Sequence, residues 1–223
     1  AIVADVATAG GARRAVATCT RRLGPQLILV NAAAVQGPLG RFEGNDPEEW
    51  IRCLRVNLIG AAMVIQSALG HMIRAKRGKI INVSGGGAAS PRPHFTAYAC
   101  SKAGLVRLTE TLAQEFQGDN IQVNALAPGA TRTRMTREVL DAGGAAGGSA
   151  RAEAEEIWRT GGTDPKRQAA LAVFLASPES NHVTGRFLHV NDPWEQLRTT
   201  STVPEDLYTL RRVNPAPVGA ETA

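Results

Sequence analysis

In the stretch AYACSK, Tyr98 and Lys102 stand four positions apart, just after a segment rich in proline and glycine. Residues at this spacing share one face of a helix, so the pair is either two ordinary neighbours or a phenol held beside a cation. The second arrangement can do proton chemistry. A free phenol titrates at about pH 10 and is a poor base at neutrality, and an adjacent positive charge favours its ionised form. Other residues with chemical potential close three apolar runs. Asn31 precedes Ala32, Ala33 and Ala34, Ser84 precedes Gly85, Gly86 and Gly87, and Pro128-Gly129 precedes Thr131 and Thr133.

The elements that must position these residues follow from the apolar pattern. QLILVNAAAV is a short apolar run entered from Gly24-Pro25, the pattern of a strand buried on both faces. GKIINVSGGG follows a helical stretch from Asp46-Pro47 to about Arg77. NIQVNALAPG follows another from about Ala97 to Gln117, and GRFLHVN follows DPKRQAALAVFLAS, with proline at an early helical position. Strands alternating with helices predict an α/β fold with a parallel sheet covered on both sides. In such sheets ligands gather at the carboxyl ends of the strands, where the unusual residues lie.

The chain has 223 residues, 43% of them hydrophobic, enough for one domain over residues 1–192 with an extension over 193–223. The net charge of +5 is mild, and no stacking aromatics accompany the basic residues, which argues against a nucleic-acid partner. The densest basic cluster, Arg74, Lys76, Arg77 and Lys79, sits where a helix should end and reads as complementing its dipole. No apolar run approaches a bilayer's thickness, so no membrane partner is expected. The start AIVADVATAGG has neither a Met nor a secretory leader, and the expected location is cytoplasmic. Cys19, Cys53 and Cys100 lack metal-ligand spacing, so no metal site is expected and the thiols read as reduced and buried. Gly143 to Ser149 reads as a mobile lid or a poorly ordered loop.

The pattern resembles the short-chain dehydrogenase/reductase family from about Ala4 to Val190. The likeness rests on ADV at Ala4 to Val6, LVNAAA at Leu29 to Ala34, Val56-Asn57, INVS at Ile81 to Ser84, YACSK at Tyr98 to Lys102, and PGATRT at Pro128 to Thr133. The resemblance implies a Rossmann-type doubly wound sheet that binds NAD or NADP and oxidises a secondary alcohol or reduces a ketone. It implies Tyr98 as general acid/base and Lys102 as the cation that lowers the tyrosine pKa and bonds the nicotinamide ribose. Ser84 would hold the reacting oxygen, and Asn57 would place a proton-relaying water or merely satisfy backbone groups in a distorted helix. Cofactor contacts would come from Asp5, Val6, Asn31, Ala32, Ala33 and Val56, with Pro128, Gly129, Thr131 and Thr133 on the other side. Gln36, Gly85, Gly86 and His94, with the segment from Met135 to Trp158, would shape the substrate pocket; for His94 the plainer reading is an exposed loop residue. The helices from about Pro47 and Tyr98 carry more apolar positions than one sheet-facing side uses, and in this family that pair meets a second subunit, implying a homodimer or homotetramer.

Three departures stand out. The family's opening strand, glycine-rich turn and helix are absent, so by the resemblance two strand-helix units, on the order of 60 residues, would precede the third strand at ADV. That gap keeps open a second reading, a non-catalytic subunit of the same fold that serves in oligomerisation or binding. The family usually places its serine thirteen positions before the tyrosine, which is Gly85; an extra loop residue would restore Ser84 to the site. Ala32 and Ala34 replace the second Asn and the Gly of the usual NNAG.

Overall fold

The computed structural model describes residues 1–211. Its sheet has four parallel strands in the order β1 (Ile28–Asn31), β2 (Gly78–Val83), β3 (Ile121–Ala127) and β4 (Phe187–His189). The connections run through α1 (Ala9–Leu23, ahead of β1), α2 (Pro47–Leu54), α3 (Ala61–Ala75), α4 (Thr96–Glu115), α5 (Arg134–Asp141), α6 (Gly148–Thr160) and α7 (Pro165–Ala176). The chain therefore forms the α/β fold that its alternation predicts.

Period-two side-chain alternation sorts the sheet into two cores. Ile80, Ile121 and Val123 face α1 and α3, where they meet Val16, Ile65, Ala68 and Met72. Ile81, Leu126 and Leu188 face α7, where they meet Leu171, Phe174 and Leu175. Both α2 and α7 start as the sequence indicates: Asp46 accepts from the Glu48 amide at 2.8 Å, Asp164 accepts from Lys166 at 2.9 Å, and proline follows each cap.

The segment after β4 joins the α7 core, where Trp194 stacks on Phe174 with ring centroids 5.5 Å apart and Leu197 is buried. Beyond it, Arg186 bonds the carbonyls of Val203, Glu205 and Leu207, and Glu110 pairs with Arg211 at 3.0 Å. Residues 212–223 of the expected extension lie outside the described residues. Phe174 is 1% exposed, so Phe174→Ala is expected to lower the unfolding free energy by about 3–5 kcal/mol in a denaturant titration.

Several sequence expectations change. The run at β1 is half-buried on one face and exposed on the other: Ile28 is 53% and Val30 48% exposed, because no described element covers that side of the edge strand. Residues 4–6 form no strand; the Asp5 carboxylate and carbonyl instead close the turn that leads to the Thr8 cap of α1. Gly143–Ala146 is a 3-10 turn with Ala146 buried in a cluster with Phe95, and α6 begins at Gly148, so most of the expected loop lies in regular structure, with Gly144, Ala145, Gly148 and Ser149 exposed. Cys100 is exposed and Cys19 half-buried; only Cys53 is buried. Of the basic cluster, Lys76 pairs with Asp119, and Lys79 is 7% exposed with its ammonium on Ser180 at 3.1 Å.

α2 and α3 are continuous through a π-helical turn at Arg55–Gly60. The combined helix Pro47–Ala75 meets the length and composition of a membrane span, contrary to the sequence reading. It nevertheless packs along α1, α4 and the sheet as a core helix.

Candidate active site

The π turn is built around Asn57, which is 1% exposed. Its amide donates to the Val35 carbonyl at 2.9 Å and to Ser101 at 3.0 Å, while its oxygen accepts from the Val35 amide at 2.9 Å. A π turn inserts one residue into a helix and is frequent at functional sites. Here it aims a side chain that ties the loop after β1 to α4, so the backbone-satisfying role is directly visible. Val56 lies half-buried in the same turn. The Val6 carbonyl passes beside it, about where a side chain on Gly60 would go: a Cβ there would lie 3.0 Å from that oxygen.

A second polar chain braces the strand ends. The Asn31 amide donates to Asn82 at 2.9 Å, and Asn82 donates to Thr109 of α4 at 2.9 Å. Asn31 is thereby occupied in structure. Asn82, fully buried, escaped the sequence reading, although a lone amide inside an apolar strand needs partners and therefore marks such a network.

α4 brings Tyr98 and Lys102 to the end of β2. Lys102 is 2% exposed; its ammonium donates to the Val83 carbonyl at 2.8 Å and lies 5.6 Å from the centre of the Tyr98 ring. Burial pulls its pKa down to about 8. Burial pushes the Tyr98 phenol above its usual value, and the Arg92 guanidinium works against that rise. Arg92 thus joins Lys102 as a cation beside the phenol, and the sequence alone did not mark it.

Gly85 is the residue that faces the phenol: a Cβ on it would sit 2.7 Å from Tyr98 Oη. Ser84 is 2% exposed, and its hydroxyl is turned to the Lys102 carbonyl at 3.4 Å. The structure therefore puts Gly85, not Ser84, opposite the Tyr98 hydroxyl. The glycine run serves close approach. Tyr98 fills the space beside Gly85, the Arg92 guanidinium lies 3.0 Å from where a Gly86 Cβ would be, and Arg92 and Ala99 crowd Gly87, whose φ is +89°.

A cleft of about 580 Å³ opens at these strand ends. It collects Ala32, Gln36, Ser84, Gly85, Gly86 and Tyr98 from one side and Pro128, Gly129, Thr131 and Thr133 from the other. The second wall is ordered internally: Gln168 donates to Pro128 O at 2.9 Å and to Thr131 at 2.6 Å, while Thr133 caps α5. Gly129, at φ +70°, has Thr163 where a Cβ would stand. α5 and α6 close the cleft with Met135, Ile157 and Glu153.

Of the residues expected at the site, Asp5, Val6, Asn31, Ala33, Val56, Asn57, His94 and Lys102 do not line this cleft. Asp5 is spent on its turn, and Ala33 is exposed in the loop after β1. His94 is no free loop residue: at φ +70° it packs against Gly147 and lines a separate pocket.

A family model described as Enoyl-(Acyl carrier protein) reductase matches residues 1–192. The chain belongs to the short-chain dehydrogenase/reductase family. This short-chain dehydrogenase/reductase is 41% identical to 3beta-hydroxysteroid dehydrogenase 1 of Eggerthella lenta over 146 residues, which cover 65% of this chain and 54% of that protein. It is 36% identical to the 3-oxoacyl-[acyl-carrier-protein] reductase FabG of Thermotoga maritima over 169 residues, 74% of this chain and 64% of that protein. The chain thus spans between half and two thirds of the length of these relatives. Among solved structures, a gluconate 5-dehydrogenase from Burkholderia cenocepacia in complex with NADP and tartrate superposes with a TM-score of 0.71 at 30% identity, covering 83% of this chain and 71% of that one.

Proposed function

We propose that this chain carries the reaction site of a nicotinamide-dependent oxidoreductase that interconverts a secondary alcohol and a ketone. The observation that carries the proposal is the approach of Tyr98 Oη to Gly85 at the mouth of β2, with the Lys102 ammonium buried behind the ring. The related structure bound to NADP supports the cofactor assignment. A bound nicotinamide supplies or accepts the hydride.

The residues present fit such a cofactor. The Lys102 ammonium has one protein acceptor and three N–H donors, which leaves donors for ribose hydroxyls. Pro128, Gly129, Thr131 and Thr133 offer a fixed wall at the end of β3, with Ala32 opposite. Tyr98 gives its Oη proton to a ketone oxygen, or takes one from an alcohol. Lys102 holds positive charge next to that exchange. Asn57, through Val35 and Ser101, fixes the loop and the helix between which both groups work.

Ser84 has no part in this scheme, and Gly85 leaves the reacting oxygen beside bare backbone. Ser84→Ala is accordingly expected to change kcat/KM by less than about twofold, whereas a serine holding the reacting oxygen would cost about 10²–10³. The absence of a hydroxyl opposite Tyr98 favours a second reading, a binding subunit of the same fold. Turnover that depends on Tyr98 excludes it. Ile51 and Ile59, exposed on the long helix, support a homodimer or homotetramer, and sedimentation of a strict monomer would remove that assignment.

The deciding experiment is the oxidation of NADH and NADPH with short ketones, by this chain and by Tyr98→Phe. Nucleotide oxidation lost in the variant supports the assignment; equal rates in both proteins overturn it.

A further inference from the structure

Arg92 stands between Pro91 and Pro93 in the loop from β2 to α4 and lines the reaction cleft. Its guanidinium is held in place without being satisfied. Cζ lies 4.3 Å over the centre of the Phe95 ring, Nη1 lies 3.0 Å from where a Gly86 Cβ would be, and Nη2 is 3.6 Å from the Glu153 carboxylate on α6. That last separation is beyond a hydrogen bond. Among the described residues the guanidinium has no hydrogen-bond acceptor, although only 28% of the side chain is exposed.

Such an arrangement suits an incoming ligand. A guanidinium presents a rigid fork of five donors that matches a carboxylate in bidentate fashion. Stacking on Phe95 fixes the plane of the fork before binding. Gly86, which Arg92 overlies, is the neighbour of Gly85, which faces Tyr98 Oη. An anionic group on Arg92 and a reacting oxygen on Tyr98 therefore fall within the span of one small molecule. Among the described residues Glu153 is the one carboxylate in the cleft wall, and its long contact with Arg92 is the interaction an incoming carboxylate displaces.

We propose that Arg92 is a specificity-determining residue that selects oxo and hydroxy acids, with a carboxylate a few carbon atoms from the reacting carbonyl. This deepens the oxidoreductase reading and rests on it. Glu153 acts as a placeholder that keeps the guanidinium in position when substrate is absent.

The test compares 2-oxobutanoate, 3-oxobutanoate and 4-oxopentanoate with their methyl esters, following oxidation of whichever nucleotide the protein prefers. At least one acid is expected to exceed its ester in kcat/KM by about 10² or more. Arg92→Gln lowers that acid's kcat/KM by a similar factor, mainly through KM, and lowers the ester's by at least about tenfold less. Arg92→Lys recovers part of the loss, because it keeps the charge without the fork. Glu153→Gln lowers KM for the acid. Calorimetric titration with the corresponding hydroxy acids, without nucleotide, should show affinity weakened by about tenfold or more in Arg92→Gln.

Esters turned over as well as acids, or an Arg92→Gln loss equal for both, overturns the proposal while leaving the oxidoreductase reading intact. No turnover of any ketone, with hydroxy-acid binding that still depends on Arg92, sinks the oxidoreductase reading and leaves an anion site. Neither turnover nor Arg92-dependent binding overturns both.

Discussion

Tyr98→Phe is expected to lower kcat by about 10²–10⁴, the usual range for a positioned proton donor, while nucleotide affinity stays within about twofold. The substitution removes one oxygen and keeps the ring that packs beside Gly85 and over Lys102. Loss of binding or packing therefore cannot account for the fall. The pH profile supplies an independent signature. Burial holds the phenol above its usual range, with Arg92 opposing, so alcohol oxidation, which needs the ionised phenol, should rise about tenfold per pH unit through neutrality. Ketone reduction, which needs the protonated phenol, should stay level until the pH approaches that elevated value and then fall. The phenylalanine variant should show neither slope.

Lys102→Met is expected to lower kcat/KM by about 10² or more and to weaken nucleotide binding, yet to leave the fold at least as stable at neutral pH. The reason lies in its burial. An ordinary lysine titrates at about 10.4, and here burial brings the folded-state value to about 8. The sign follows from proton uptake. Between about 8 and about 10.4 the unfolded chain binds the proton and the folded chain does not, so stability rises with pH across that window. Below it, the buried cation costs on the order of 3 kcal/mol, which methionine does not incur. Lys79, also brought to about 8 by burial, adds to the same slope. It lies at the opposite end of β2 on Ser180, so Lys79→Met should reduce the pH dependence of unfolding without touching turnover. Urea midpoints from pH 7 to pH 10 for the two variants check both statements.

The long elements were legible because their signals are local. Asp46-Pro47 and Asp164-Pro165 announce helix starts, apolar runs of strand length separate the helices, and a four-residue spacing is enough to put Tyr98 and Lys102 on one face. Features that depend on distant partners were not legible. Whether Ala4 to Val6 pairs as a strand depends on a neighbour, and in the structure Asp5 turns into α1 instead. Whether β1 is buried on both faces depends on what covers it, which no periodicity in Ile28–Asn31 records.

Within the site, the choice between Ser84 and Gly85 turned on how the loop after β2 leaves the sheet. Counting back from Tyr98 pointed to Gly85, but the chemistry of a hydroxyl pointed to Ser84, and the geometry sides with the count. Asn57 was visible as a candidate, yet its clamp on Val35 required knowledge that the helix carries a π turn there. Arg92 was invisible for a simpler reason. It belongs to no periodic element, and only the close approach to Gly86 and Gly87 reveals that the glycine run exists partly to seat it.

The measurement that bears most directly on the account is a fluorescence titration of the chain with NADH and NADPH, beside a Lys102→Ala control. Saturable binding of at least one nucleotide is expected, weakened about tenfold or more in the variant, with the preferred nucleotide identifying the cofactor. Absence of saturable binding by either nucleotide, or binding that the Lys102 substitution leaves unchanged, would contradict the assignment of Tyr98 and Lys102 to a nicotinamide-dependent site.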